Sequence, residues 1–120
     1  MRIYISGPIT GRDRNTVREA FEKAEKMIIE RGHTPVNPLR LAEQLPDGSE
    51  WKEYMAADLP ALFACDAIYQ LDGWKSSNGC KLENLAAIYA KMKRFCGMWP
   101  PPFAHPALEN LSRRKRDGGN

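Results

Sequence analysis

Eight consecutive residues, Ser76-Ser77-Asn78-Gly79-Cys80-Lys81-Leu82-Glu83, combine the side-chain types from which a small-molecule site can be built. They lie between a short apolar run and an amphipathic pattern, so a strand is expected to stop, turn through small polar residues and open a helix. Such a junction points several unpaired backbone N–H groups toward one place, where anions are favoured. Glu83, read as lying in the first helical turn, would sit in a positive partial potential that lowers its pKa and holds it ionised. A carboxylate held in that way can act as a nucleophile. The same placement also suits an acid that merely complements the helix dipole.

Other residues that could join it are scattered along the chain. Tyr4 lies in the first apolar run and reads equally as core or as pocket, because a buried phenol needs a hydrogen-bond partner; Glu83 would be a suitable one. Asp58, in Ala56-Ala57-Asp58-Leu59, reads alone as a solvated helix position, and Asp66 as a cap or turn residue. His33 and His105 stand beside turn residues and make poor general bases. Cys65, Cys80 and Cys96 are odd in number and widely spaced, which indicates neither a disulfide framework nor a zinc site. A thiol at a helix start, such as Cys80, can be acidified, but no histidine is near it in the sequence. The loop Gly7-Pro8-Ile9-Thr10-Gly11 follows a strand, yet neither G-x-x-x-x-G-K-[ST] nor G-x-G-x-x-G is present. That spacing disfavours an ATPase or an ordinary dinucleotide site and leaves a tight turn whose backbone N–H groups can meet a small ligand.

These residues must be positioned by an alternation of strands and helices. Arg2 to Ser6 is a β-rich run broken by Gly7 and Pro8. Asn15 or Thr16 is expected to cap the first helix, with Thr16 and Glu19 matching a capping box, and Val17, Phe21, Ala24 and Ile28 share one face; Gly32 ends it. His33 to Pro38 predicts a short strand whose two prolines place it at a sheet edge. A helical turn over Leu39 to Gln44 precedes a loop, and the stripe Trp51, Met55, Leu59, Leu62 predicts a helix over Trp51 to Phe63 that Pro60 should bend or split. Ala67 to Leu71 reads as a central strand. A third long helix is expected over Gly79 to Lys93, burying Leu82, Leu85, Ala86 and Tyr89. Phe95 to Trp99 reads as a last strand, ended by Pro100-Pro101-Pro102, and Leu108 to Leu111 as a turn of helix.

The pattern predicts a three-layer, flavodoxin-like (Rossmann-like) α/β domain, residues 1–111, with four or five mostly parallel strands and a basic tail, 112–120. In such sheets ligands bind outside the carboxyl ends of the strands. The loop from Gly7 to Arg14, the Asn37-Pro38 step and Asp72 to Gly79 all fall there. A chain of 120 residues with 42% apolar and 28% charged residues is composed like an ordinary globular protein. No run approaches the ~20 apolar residues of a membrane span, and Met1 leads directly into a strand pattern, so a cytoplasmic location is expected. Setting aside Arg113, Arg114, Lys115, Arg116 and Asp117 leaves 14 basic and 14 acidic residues, so the body is neutral and no nucleic-acid track is expected.

The run Tyr4-Ile5-Ser6-Gly7-Pro8-Ile9-Thr10-Gly11, the pair Asp58 and Asp66, and Ser77-Asn78-Gly79-Cys80-Lys81-Leu82-Glu83 together resemble the nucleoside 2-deoxyribosyltransferase-like superfamily. The resemblance spans residues 2–95 and is nearest to small members, many from phages and prophages, that open with ISGPITG and continue through Asn37-Pro38 and Trp51 to Tyr54. The S-x-G-x-x-x-E pattern is shared with deoxynucleoside 5′-monophosphate N-glycosidases of that superfamily. The resemblance implies that Glu83 is the nucleophile toward the anomeric carbon, that Tyr4 orients it, and that Asp58 assists proton transfer with the base. It further implies that Ser77, Asn78 and Gly79, with Ser6, Gly7, Pro8, Ile9, Gly11 and Asn37, bind substrate. Pro8 and Thr10 stand where the monophosphate glycosidases carry serine and arginine. No metal or other cofactor is implied, and a homodimer or higher homo-oligomer is.

Two carboxylates can divide nucleophile and acid/base duties around an oxocarbenium-like transition state. The expectation is therefore hydrolysis or transfer at the N-glycosidic bond of a nucleoside or nucleotide. The alternative is a module that keeps the fold and pocket but only binds or senses such a ligand. A third reading is a partner-binding protein that uses its basic tail.

Overall fold

Four short runs rich in β-branched and aromatic residues pair into one all-parallel sheet of order β2-β1-β3-β4. The computed structural model describes residues 1–97, in the order β1 (Arg2–Ser6), α1 (Arg14–Glu30), β2 (Thr34–Val36), α2 (Pro38–Ala42), α3 (Trp51–Phe63), β3 (Ala67–Gln70), α4 (Asn78–Tyr89) and β4 (Lys93–Cys96). A single 3-10 turn, Trp74–Ser76, precedes α4. Tyr4 pairs with Val36 on one side and Ile68 on the other, and Tyr69 pairs with Phe95. The expected flavodoxin-like, three-layer α/β class is the one observed, with four strands. As expected, β2 is an edge strand and β3 an interior one.

Alternation along β1 decides what each face of the sheet carries. Ile3 and Ile5 point to one side, where they pack with Val17, Phe21, Ala24 and Ile28 of α1 and with Ala67 and Tyr69 of β3. Tyr4 points to the other side and packs with Ile68, Leu62 of α3 and Ala87 of α4. Ser6 shares the Tyr4 face by the same period of two. β1 thus sends two hydroxyl groups into the α3–α4 layer while its alkyl side chains anchor α1, each fully buried one contributing about 1.5–3 kcal/mol.

Several local details differ from expectation. The cap of α1 is Asp13, whose Oδ2 accepts hydrogen bonds from the Thr16 N–H at 3.0 Å and the Thr16 hydroxyl at 2.9 Å. An ionised carboxylate is the stronger acceptor, so it starts the helix ahead of Asn15 and Thr16. α3 is one helix despite Pro60. Pro60 is exposed, so water can serve the carbonyl that loses its donor, while Met55 and Leu62 anchor the helix on both sides of it.

In α4 the inward residues are Cys80, Glu83 and Ala87. Leu82 and Ala86 are half-buried, whereas Leu85 is 50% exposed and Tyr89 84% exposed, contrary to the expected apolar face. The helix is rotated so that a carboxylate occupies the position a pattern of apolar residues would assign to leucine. α4 also ends earlier than expected, at Tyr89, and Lys91 with φ +56° turns the chain into β4. The last strand accordingly spans Lys93–Cys96 instead of beginning at Phe95. The expected turn over Leu108 to Leu111, Pro100 to Pro102, His105 and the tail lie outside the described residues.

Candidate active site

The site lies on the α3–α4 side of the sheet and is assembled from three elements. β1 supplies Tyr4 and Ser6, α3 supplies Asp58, and α4 supplies Glu83. Glu83 is only 5% exposed, and both of its carboxylate oxygens are held. The Tyr4 hydroxyl donates to Oε2, and the Ser6 hydroxyl donates to Oε1 at 2.7 Å. Tyr4 and Ser6 are themselves fully buried, so neither hydroxyl has water as an alternative partner. Among the described residues no buried side-chain nitrogen or oxygen lacks a hydrogen-bond partner.

Glu83 lies beyond the first turn of α4, which contains no acid. The expected lowering of its pKa by the helix terminus is therefore not what governs it, because that potential falls off within a turn. Burial pushes the carboxyl up, and the Tyr4 and Ser6 hydroxyls work against that shift by stabilising the ionised form. Asp58 is pushed up to about 7, first by burial, then by the negative charge of Glu83, with a hydrogen bond from Tyr4 opposing both. The Tyr4 phenol is raised by burial and by the charges of Glu83 and Asp58, so it remains a hydrogen-bond donor at every physiological pH. Two neighbouring acids whose surroundings leave one near neutrality are suited to proton transfer, and they titrate as a coupled pair.

The start of α4 adjoins these residues. The Ser77 hydroxyl accepts from the Cys80 N–H at 3.3 Å and caps the helix. Cys80 is 1% exposed, and burial raises its thiol while the Ser77 and Ser6 hydroxyls oppose that shift. It is thus held as a neutral thiol. Gly7 follows β1, and a Cβ there would lie 2.7 Å from Leu71 Cδ1, so any larger residue must displace the Leu71 side chain. Gly73, with φ +87°, carries the Arg12 guanidinium against its bare Cα; a Cβ would meet Arg12 Nη2 at 2.9 Å and Pro8 Cγ at 3.3 Å.

Of the residues expected to form the site, Tyr4, Ser6, Asp58 and Glu83 come together, with Ser77, Asn78 and Gly79 at the adjoining helix start and Gly7, Pro8 and Ile9 in the loop after β1. Gly11 borders open space. Asn37 is buried, but its Oδ1 accepts from the Leu39 N–H at 3.0 Å and so caps α2. Asp66 is elsewhere: its Oδ2 accepts from the Arg2 N–H at 2.9 Å, at the amino end of the sheet. His33 contacts the terminal amine through Nδ1, also at that end. Ser6 has a more specific place than a general ligand-contacting position, since it holds Glu83. Sequence reasoning placed Trp51 in the apolar stripe of α3 with Met55, Leu59 and Leu62, yet it is 50% exposed, and its Nε1 lies 3.6 Å from where a Cβ of Gly79 would be. The i, i+4, i+7 spacing of Trp51, Met55 and Asp58 was the available signal that the indole shares a face with the acid.

Among the described residues no group of three or more His, Cys, Asp or Glu side chains could hold a metal ion. A separate groove of about 550 Å³, lined by Lys23, Met27, Tyr69, Leu71 and Asp72, opens on the α1 side and does not include the acid pair. No helix among the described residues is long and apolar enough to cross a membrane. No curated protein matches the chain. A family model described as a domain of unknown function, DUF4406, matches residues 1–94, and the chain belongs to that family.

Proposed function

We propose that the protein breaks the N-glycosidic bond of a nucleoside or nucleoside 5′-monophosphate, passing the sugar to water or to another base, with Glu83 as nucleophile. The observation that carries this reading is the buried Glu83 carboxylate, bound by Tyr4 and Ser6 hydroxyls at its two oxygens beside an Asp58 whose pKa is raised to about 7. The resemblance of residues 2–95 to the nucleoside 2-deoxyribosyltransferase-like superfamily supports it independently.

In the first step a Glu83 oxygen bonds to the anomeric carbon as the C–N bond breaks, and the electron pair of that bond leaves with the base. Protonated Asp58 supplies the proton that neutralises the departing nitrogen. In the second step Asp58, now ionised, takes a proton from water, or from an incoming base, which attacks the anomeric carbon and releases Glu83. Tyr4 and Ser6 orient the carboxylate throughout. Ser77 and Gly79 meet the 5′ end of the ligand, and the substrate belongs to the cytoplasmic nucleotide pool. The working form is a homodimer or higher homo-oligomer, with no metal or cofactor.

Incubation with a panel of nucleosides and 5′-monophosphates, followed by chromatography for free base, tests the reading. Base release by wild type and its loss in Glu83→Ala are the expected results; a panel in which both proteins are equally inert overturns it. The near-complete enclosure of Glu83 favours one other reading, a binding or sensing module on the same fold. That module would show ligand-dependent thermal stabilisation with the ligand recovered intact.

A further inference from the structure

The two faces of the sheet are not covered alike. Four strands at ~4.8 Å spacing make a sheet ~19 Å wide, and a helix covers ~10 Å of that width, so each face needs two helices. On one face α3 and α4 meet this need, with Leu62 and Ala87 packed against Tyr4 and Ile68. On the other, α1 is the one long helix among the described residues, and it packs over Ile3 and Ile5 of β1 and Ala67 and Tyr69 of β3. The short α2 follows β2, at the opposite border from β4. Beside α1, toward β4, the sheet is therefore open, and the groove of about 550 Å³ lies there. Phe95 of β4, the register partner of Tyr69, shares this face and is only half-buried.

The chain leaves the sheet at this same place. Gly97 lines the groove together with Ala20, Met27, Tyr69 and Leu71, and its carbonyl accepts a hydrogen bond from the Tyr69 hydroxyl at 2.6 Å. Its φ of +72° lies in the left-handed region, which glycine adopts without a Cβ penalty and which turns the chain out of the strand direction. The sequence continues Met98-Trp99-Pro100-Pro101-Pro102-Phe103-Ala104-His105-Pro106-Ala107-Leu108 and holds no Asp, Glu, Lys or Arg, in a protein of which 28% is charged. Trp99 stands two residues past Gly97, so its Cα is within ~7 Å of a residue that already lines the groove.

We infer that the groove beside α1 is the seat of the chain's own residues 98–108, with Trp99 and Phe103 as the anchors. Three successive prolines favour the polyproline II spacing of ~3.1 Å per residue, which sets Trp99 and Phe103 ~12 Å apart. Ala20 and Glu30 both line the groove, and the ~15 Å of helix between them is long enough for both rings. The prolines bring a φ that is already fixed, so seating them costs little entropy, and they carry no backbone N–H for an apolar wall to leave unpaired. Lys23 and Lys26 stand exposed on the same wall, where their alkyl stems can flank the rings while the ammonium groups stay in water. Leu71 connects the groove to the loop after β1, since its side chain also occupies the space beside Gly7. This inference is independent of the reaction proposed for the acid pair.

The test uses the full chain. Nuclear Overhauser contacts are recorded from the Ala20 and Met27 methyl groups to the Trp99 and Phe103 rings, once in uniformly labelled protein and once in a mixture of labelled and unlabelled chains filtered for contacts between molecules. The contacts should appear in the first sample and be missing from the second. In urea unfolding, Trp99→Ala should lower the folding equilibrium constant by about ten-fold or more, as expected for an aromatic ring that leaves an apolar seat. Ala20→Arg places a bulky side chain at an exposed position of the groove wall and should abolish the same contacts. In that background Trp99→Ala should change the folding constant by less than about two-fold, because the seat is already blocked. Lack of any contact from either ring to the two methyl groups overturns the inference, as does an equal cost of Trp99→Ala with and without Ala20→Arg. Contacts found only between molecules also overturn it and assign the groove to a second copy. If Trp99→Ala does not fold, the contacts in wild type and in Ala20→Arg decide.

Discussion

Tyr4 and Glu83, 79 residues apart in the chain, are joined by a hydrogen bond inside the protein, phenol to carboxylate. The bond ties the first strand to the last described helix, so forming the fold and setting the acid in place are one event. Because the phenol stabilises the ionised carboxylate, its removal should cost most where Glu83 is ionised. Tyr4→Phe is expected to destabilise the protein by about 1.5–3 kcal/mol at pH 8 and by less at pH 5. Urea unfolding at the two pH values measures the difference, and an equal cost at both would show that the bond does not discriminate between charge states.

Burial and the charge of Glu83 push the Asp58 carboxyl up from its ordinary 3.8 to about 7 in the folded protein. The folded protein therefore binds this proton more tightly than the unfolded chain does. Its stabilising contribution is fully present below about pH 4 and is lost as pH rises through about 7. Asp58→Asn keeps the shape and removes the charge, so it should raise Tm relative to wild type at pH 8, with the gain shrinking as pH falls toward 4. Calorimetry across that range checks the sign.

The negative charge of Glu83 is the second cause of the Asp58 shift. Glu83→Gln should accordingly lower the Asp58 pKa while leaving part of the upward shift, since burial is the larger cause. Carboxyl carbon chemical shifts followed by NMR titration report this directly. If the proposed chemistry operates, base release by wild type should also fall as pH rises above about 7, where Asp58 loses the proton it donates.

Gly7 admits the loop after β1 past Leu71. Gly7→Ala forces a Cβ into a space where Leu71 Cδ1 is 2.7 Å away and should cost about 1–3 kcal/mol by overpacking. Leu71→Ala in the same chain removes Cδ1 and Cγ, at 2.7 and 3.1 Å, and leaves only the milder contact with Cβ at 3.1 Å. The double variant should therefore be more stable than the sum of the two single losses, a coupling that denaturant unfolding of all four proteins measures.

Periodicity was sufficient for much of this fold. Val17, Phe21, Ala24 and Ile28 recur at helical spacing because one face of α1 meets one face of the sheet, and the two prolines flanking Val36 marked the edge strand. α4 was read in the wrong phase for a physical reason: its inward face includes Glu83, and a pattern that assigns apolar residues to the interior turns such a helix outward. The partners that hold Glu83, Tyr4 and Ser6, are on a strand distant in sequence, so the source of its altered acidity was not local. Asp58 likewise looks like a surface acid until α4 is packed beside it. The motif at Ser77 to Glu83 showed where the site would be, but the causes of its acidity come from tertiary contacts.

Pro35 has a further effect through the sheet edge it occupies. The Thr34 N–H donates inward to the Met1 carbonyl at 2.9 Å, so in a parallel ladder the next residue, Pro35, faces outward, where it offers no donor. At the opposite border β4 carries Lys93 and Arg94, two like charges on the margin of the sheet. Both margins are thereby unfavourable templates for a strand from another molecule, which protects the protein against edge-to-edge aggregation.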